Sequence, residues 1–318
     1  MNQSTKDNLK SDKLNKYKTQ NKAPFETISN TWLNEHVHTT GHKYSPEELK
    51  RIQRLFRQQH LHRECNKTTC FEPPQYPEHR AASFIILPTG YARCCPFCHA
   101  VYSSTLIYPV DDIQQFTQHI ATLELTYLVM VYHITEQMNT DLLAQIMQHI
   151  RQQSPKTMIE IIITHAQLDA LSLSPLLRET PPDVLNCPVS AVPRLFPKLK
   201  LETNYLNTLH LLKQVKQLFP SILTKSGLLV GLGEIEAEVF SVLNDLKDAS
   251  VDLITIGQYL QLDSSHTSIQ RFVHLDEFKR YQAHGNQLNF QNLWSSPMVR
   301  PCYFAEQLFE KHAIPELL

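Results

Sequence analysis

The sequence has 318 residues, of which 42% are hydrophobic and 19% are charged, so it is long and apolar enough to bury a full core. Its 30 basic and 31 acidic side chains nearly cancel, which argues against nucleic acid or an anionic membrane as the main partner. Only 7 glycines are present, and this scarcity argues against most glycine-rich phosphate-binding loops. The chain has neither a run of roughly 20 apolar residues nor a signal peptide, so we expect a cytoplasmic protein.

The N-terminal region divides into a polar tail and a helical segment. Residues 1–25 are rich in lysine and asparagine and nearly lack apolar side chains, which predicts a disordered tail. Ser45 and Glu48 form a capping box around Pro46, and apolar residues follow at helical spacing. We therefore expect a helix over about residues 46–60.

Short apolar runs alternate with amphipathic helical patterns from residue 83 onward. Runs of this kind are typical of parallel strands that are buried on both faces. Six strand-helix units suit an open or closed α/β barrel, whose chemistry lies at the carboxyl ends of the strands. The predicted strands are SFIIL at 83, YLVMVY at 127, MIEIII at 158, DVLN at 183, SGLLVGLG at 226 and DLITIG at 252; the predicted helices lie near 111–124, 139–153, 167–178, 203–219 and 234–249.

The seven cysteines are the first indication of a chemical site. An odd number in a chain without an export signal favours reduced thiols over disulfides. Five of them lie between residues 65 and 98, where they could hold zinc, hold an iron-sulfur cluster or remain unused. We interpret Cys187 as an inert core thiol. The cysteines are Cys65, Cys70, Cys94, Cys95, Cys98, Cys187 and Cys302.

The cysteine pairs belong to motifs with a particular order. HREC-NKTTC, ending at Cys70, precedes the strand FIIL, and CPFC follows at residue 95. This order resembles that of the lipoyl synthase family of radical S-adenosylmethionine (SAM) enzymes. The resemblance extends over about residues 30–310. Its further segments are DVLN at 183, VPRLFPKLK at 192, KSGLLVGLGE at 225, DLITIGQYLQ at 252, RFVHLDEF at 271 and VRPCY at 299.

The resemblance implies a fold, cofactors and a partner. It implies an α/β fold in which a partial (β/α)6 TIM-like barrel of the radical SAM type carries an N-terminal helical extension. The implied cofactors are SAM and two 4Fe-4S clusters, one that cleaves SAM and one that donates sulfur to an octanoyl chain. The implied partner is a lipoyl carrier domain or another octanoylated protein. We divide the chain into the tail (1–25), an N-terminal extension with an auxiliary-cluster-like region (26–80), the barrel (81–290) and a C-terminal segment with the RPCY motif (291–318).

The motif for the SAM-cleaving cluster is incomplete. In the family it reads Cys-x3-Cys-x2-Cys, and its last two positions are Cys95 and Cys98 here. Tyr91 occupies the first position, and Cys94 lies three residues away from it. A phenolate can ligate iron, but its hard oxygen is a poor substitute for sulfur in a low-potential cluster.

The auxiliary motif has lost a thiolate in the same way. Its family pattern Cys-x4-Cys-x5-Cys is matched by Cys65 and Cys70 and then broken by Tyr76. The C-terminal motif whose serine ligates this cluster in the family reads Arg300-Pro301-Cys302-Tyr303 here. Cys302 could therefore supply a third sulfur, for a cluster or for zinc.

Other family positions concern the SAM molecule itself. The Asn-His-Asn stretch that helps to seat the nucleoside reads Asn186-Cys187-Pro188, and a shorter loop without glycine, YHITEQMNTD, replaces the family's acidic loop. The resemblance implies SAM contacts for Asn186, Glu234 and Gln258. Arg194 fits a surface ion pair as well as a substrate contact.

The family positions that are lost belong to the cluster and SAM sites, whereas the pattern of strands and helices is intact. We therefore predict a lipoyl synthase-like protein that is catalytically impaired or inactive, a pseudoenzyme. Two alternatives stay open. One is an active sulfurtransferase of the lipoyl synthase type in which Tyr91 or Cys94 substitutes as a ligand, and the other is a zinc-stabilised binding module.

Overall fold

The computed structural model describes residues 81–86, 113–122, 124–132, 140–163, 170–201, 204–259, 261, 267–297 and 299. The predicted tail, the N-terminal extension with its helix at 46–60, and the RPCY motif lie outside the described residues. Within the described part, no helix is long and apolar enough to cross a membrane. The expected cytoplasmic location stays a prediction.

A parallel sheet of seven strands organises the described residues. Each strand pairs with the next one in sequence, so the spatial order is β1 to β7 without rearrangement. All six pairings are parallel. The strands are Ala81–Ile86 (β1), Tyr127–Tyr132 (β2), Met158–Ile163 (β3), Val184–Asn186 (β4), Leu223–Val230 (β5), Leu253–Gln258 (β6) and Asn292–Ser295 (β7).

Helices connect consecutive strands, as parallel pairing requires. Local signals explain two of the helix starts. The side chain of Asn204 accepts a hydrogen bond from Asn207 N at the start of the helix Tyr205–Leu218, and Glu238 accepts one from Ile235 N at the start of the helix Glu236–Asp248. The helices are Ile113–Thr122 (α1), Thr140–Gln153 (α2), Ala170–Glu179 (α3), Phe196–Leu199 (α4), Tyr205–Leu218 (α5), Glu236–Asp248 (α6) and Leu275–Gln287 (α7), with a 3-10 turn at Pro193–Leu195.

The two faces of the sheet differ in what covers them. Alternate strand residues, such as Leu128 and Ile161, join the helices in one large apolar core. The intervening residues form two small apolar clusters, one around Val129 and one around Val184, to which none of the described helices contributes. We call this second side the inner face. It carries the polar side chains described below.

The six predicted strands are confirmed, and the α/β class with parallel pairing is confirmed with them. The seventh strand and the helix before it were missed. NLWS is too short and too mixed for a periodicity signal, and it lies at the edge of the described sheet. The side chain of Gln282 on α7 bonds the backbone of Leu293 and Ser295, which satisfies the free side of this strand.

Candidate functional site

Four buried polar side chains meet on the inner face across neighbouring strands. We call Tyr127, Glu160, Asn186 and Lys225 the inner-face network. The last three are 0% exposed, and Tyr127 is 1% exposed. A buried charge is costly unless it is paired and hydrogen-bonded, so the pairing of Glu160 decides whether this arrangement is stable.

Glu160 is the centre of the network because every other member donates to it. Its Oε2 accepts hydrogen bonds from Tyr127 Oη at 2.7 Å and from Lys225 Nζ at 2.8 Å. Its Oε1 accepts one from Asn186 Nδ2 at 2.6 Å. The carboxylate thus has three donors, one of them a cation, which compensates for its removal from water.

Strand register explains why these side chains converge. Side chains alternate between the two faces of a strand, so Glu160 at the third position of β3 and Lys225 at the third position of β5 both point inward. Register pairs Glu160 with Val184 and Asn186 with Lys225. Asn186 is the last residue of β4, and the network therefore reaches the carboxyl edge of the sheet.

Asn186 has one amide atom without a partner. Because a carboxylate can only accept, Nδ2 must face Glu160, and Oδ1 is left on the other side of the amide. Oδ1 is buried and has no hydrogen-bond partner among the described residues, and Thr255 Oγ1 on β6 is in the same condition. Buried polar atoms are normally paired, so these two atoms have hydrogen-bonding capacity that the described residues leave unused.

Glu234 stabilises the loop after β5 through hydrogen bonds to its backbone. Its Oε1 and Oε2 accept hydrogen bonds from Gly231 N at 2.7 Å and Leu232 N at 2.9 Å, and Arg271 Nη2 lies 3.6 Å from Oε1. Gly231 has a φ of +96°, and a Cβ there would collide with the side chain of Gln258. Gly231 therefore allows close packing at the end of β5.

Both amide atoms of Gln258, the last residue of β6, form hydrogen bonds within the chain. Its Nε2 donates to the carbonyl oxygens of Tyr259 at 3.0 Å and Arg271 at 3.1 Å. Its Oε1 accepts from Val273 N at 2.9 Å. Gln258 therefore fastens the segment before α7 to the end of the sheet, and its SAM contact stays a prediction.

Two arginines form ion pairs at the same edge. Arg194, 56% exposed, donates to Glu238 at 2.6 Å and to Gly233 O at 2.9 Å, which confirms the ion-pair interpretation. Arg271 binds both carboxylate oxygens of Glu277, at 2.7 and 2.8 Å. These hydrogen bonds lower the pKa of Glu277 below its usual range.

The one cysteine among the described residues is a core thiol, as predicted. Cys187 is 1% exposed, and burial raises its pKa to about 12, so it stays protonated and is a weak nucleophile and metal ligand. Within the described part of the chain, no three His, Cys, Asp or Glu side chains could together hold a metal ion.

The predicted cluster ligands lie outside the described residues, so their assignments stay predictions. The SAM-cleaving motif is represented by Cys95 and Cys98 with Tyr91, and Cys94 beside it is also outside. The auxiliary motif is represented by the following residues: Cys65, Cys70, Tyr76 and Cys302.

Sequence reasoning missed Glu160 and Tyr127 as members of the site. A signal for Glu160 existed, since it is the single charged residue inside the apolar run MIEIII. Tyr127 gave no such signal, because an aromatic residue at the start of a strand is ordinary core composition.

The fold and the candidate site are typical of α/β proteins that bind a ligand at the carboxyl edge of a parallel sheet. A parallel α/β sheet has polar residues at the carboxyl ends of β4 and β6, which is where enzymes of this architecture bind their ligands. No protein-family model matches the chain. Individual curated proteins, in contrast, match the chain in sequence.

The relatives are lipoyl synthases. The protein from Psychrobacter cryohalolentis is 36% identical over 272 residues, covering 83% of this chain and 77% of the relative. The protein from Alcanivorax borkumensis is 34% identical over 282 residues, covering 86% and 84%. The chain belongs to the lipoyl synthase family.

Solved structures match the chain at low sequence identity and with TM-scores below 0.5. Streptococcus suis SuiB has a TM-score of 0.49 at 13% identity, with 85% of this chain and 61% of SuiB covered. Coproporphyrinogen III oxidase from Escherichia coli, described as a radical SAM enzyme, has a TM-score of 0.44 at 16% identity, with 67% and 52% covered. The family assignment rests on the sequence relatives.

Proposed function

We propose that this lipoyl synthase family member binds SAM on the inner face of its sheet but does not cleave it. The observation that carries the proposal is Tyr91 in the first position of the cleaving-cluster motif, ahead of Cys95 and Cys98. Radical cleavage requires three thiolates that hold the cluster and leave one iron open to SAM. Two thiolates and a phenolate do not fit that requirement.

The described residues support SAM binding independently of the cluster. Asn186 Oδ1 and Thr255 Oγ1 are buried polar atoms with unused hydrogen-bonding capacity on the inner face. Between their strands, β5 has Gly227 paired in register with Thr255, a position without a side chain. An amide oxygen that accepts and a hydroxyl that can donate or accept fit the hydroxyl and amino groups of a nucleoside. When SAM and a complete cluster are bound, they supply an adenosyl radical; the residues described here only hold and orient the ligand.

In this proposal Glu234 and Gln258 act on the rim of the SAM site. Glu234 holds the loop after β5 by two backbone hydrogen bonds, and Gln258 holds the segment 271–273 by two more. A direct contact of either side chain with SAM would use lone pairs that remain after these bonds. Asn186 is the SAM contact that the geometry supports best.

An active sulfurtransferase is the second candidate, and the extra thiol of Cys94 favours it. Cys94 adjoins the cleaving-cluster motif, and Cys302 stands where the family has a serine. Thiolate binds iron more firmly than serine does, so Cys302 would retain an auxiliary cluster but would oppose the release of its sulfur. A cluster that is retained without sulfur transfer is compatible with the first proposal as well.

Anaerobic reconstitution with iron and sulfide, followed by analysis of iron, sulfide and zinc per chain, separates these candidates. We expect the cleaving site to hold no stable 4Fe-4S cluster, so that the iron content per chain does not change in Cys95→Ala. We expect retained iron to depend on Cys302, so that Cys302→Ala lowers it. Two full clusters per chain, one of them lost in Cys95→Ala, would support the active enzyme instead. Zinc at one per chain without sulfide would favour a zinc-stabilised module.

We further propose that the protein binds lipoyl carrier domains, in the cytoplasm, as the resemblance implies. Such transient contacts have micromolar affinity, roughly −8 kcal/mol. Calorimetry with octanoylated and unmodified carrier domains tests this directly. Tighter binding of the octanoylated form is expected, and absence of binding by both forms at about 100 μM would contradict the proposal.

A further inference from the structure

The inner-face network fixes the orientation of one amide, that of Asn186. An asparagine amide usually has two orientations, which are related by exchanging the positions of the oxygen and the nitrogen. These orientations usually differ little in energy. Here Glu160 Oε1 lies 2.6 Å from the amide nitrogen, and the reverse orientation would bring two acceptor oxygens together. The amide oxygen is therefore directed away from Glu160.

Glu160 can impose this orientation only if its own charge and position are fixed. Lys225 Nζ and Tyr127 Oη both donate to Oε2, at 2.8 and 2.7 Å, from strands on either side of β3 and β4. All four residues belong to the rigid sheet and are excluded from solvent. The carboxylate therefore keeps one oxygen for Asn186.

We propose that Glu160 is a positioning residue, which presents Asn186 Oδ1 as an acceptor to a hydroxyl group of the nucleoside. This inference rests on the proposed binding of SAM to the inner face. It assigns roles to three residues that do not touch the ligand: Glu160 orients Asn186, and Lys225 and Tyr127 hold Glu160. Asn186 is then selective for a hydroxyl donor and against an analogue without one.

The test compares S-adenosylhomocysteine with its 2′-deoxy and 3′-deoxy analogues by calorimetry on the full chain, without reconstitution. A buried acceptor left without its donor loses affinity, so one of the two deoxy analogues is expected to bind about tenfold more weakly. This ratio reports on the hydroxyl contact, whereas a general loss of stability leaves it unchanged.

Two double variants separate positioning from mere stability. In Glu160→Gln with Lys225→Met, no charge remains, the glutamine can turn either amide atom toward Asn186, and the ratio is expected to fall to near one. In Glu160→Gln with Asn186→Asp, the glutamine oxygen accepts from Lys225 and Tyr127, its nitrogen donates to the aspartate, and the second aspartate oxygen remains an acceptor. We call this variant the charge swap, because it moves the carboxylate from position 160 to position 186. It is expected to keep the affinity ratio between S-adenosylhomocysteine and its deoxy analogues. Leu185→Val, on the helix-facing side of β4, is the matched control and is expected to keep it too.

The outcomes are distinct. A first double variant that is folded and keeps the tenfold ratio, or a charge swap that is folded and loses it, overturns the role of Glu160. Wild-type protein that binds all three ligands equally overturns the role of Asn186 but leaves nucleoside binding intact. Wild-type protein that binds none of them overturns the proposed SAM site, and the inference with it.

Discussion

Two buried amides at the carboxyl edge of the sheet are used in different ways. Gln258 at the end of β6 makes three hydrogen bonds to backbone groups, and neither amide atom is left without one. Asn186 at the end of β4 makes one, to Glu160, and its oxygen has no partner among the described residues. The amide of Gln258 is fully used within the fold, whereas the amide of Asn186 keeps an acceptor oxygen that the described residues do not use. Residue type and position along the strand do not reveal this difference; the partners do.

The largest expected effect comes from removing the cation of the inner-face network. Lys225→Met leaves the carboxylate of Glu160 buried without its charged partner, which we expect to lower the free energy of unfolding by about 3–5 kcal/mol. Urea denaturation followed by circular dichroism measures the change. Adding Glu160→Gln to this variant should restore much of the stability, because the uncompensated charge disappears. A double variant as unstable as Lys225→Met would show that ion pairing does not hold this side of the sheet.

Replacing the fully bonded amide should affect stability more than ligand selectivity. Gln258→Met leaves the backbone N–H of Val273 and the carbonyl oxygen of Arg271 without their side-chain partner, and we expect a loss of about 2 kcal/mol. The ratio of affinities for S-adenosylhomocysteine and its deoxy analogues should stay at the wild-type value. Asn186→Ala, the matching change in the other amide, should abolish that ratio. If Gln258→Met abolishes it as well, Gln258 is itself a ligand contact.

The smallest expected effect concerns pH and the Arg271–Glu277 ion pair beside Gln258. The guanidinium holds the pKa of Glu277 below the ordinary value of 4.5 in the folded protein, so the pair contributes its full stability above that pH. The contribution is lost as the pH falls further, through the folded-state pKa. Glu277→Gln should therefore flatten the acid decline in unfolding free energy by less than about 1 kcal/mol, because the pair is partly exposed. An identical acid decline in both proteins would contradict this.

Apolar periodicity predicted six strands and their parallel order, because buried strands of α/β proteins are continuous apolar runs. It could not predict β7, whose four residues are partly exposed and depend on Gln282 of α7 for hydrogen bonds. The site was predicted less completely, because its geometry also depends on partners from other elements of the fold. Asn186 was identified from its motif, but Glu160 was hidden in the run MIEIII, since its role follows from three partners on other strands.

The most direct test of the proposed function is whether SAM is cleaved. Protein reconstituted anaerobically with iron and sulfide, then incubated with SAM and dithionite, should form no 5′-deoxyadenosine above a control without protein, as measured by liquid chromatography and mass spectrometry. The same preparation should still bind S-adenosylhomocysteine in calorimetry. Formation of 5′-deoxyadenosine that exceeds the control and disappears in Cys95→Ala would contradict the proposal and establish an active radical enzyme in which another ligand replaces the missing thiolate.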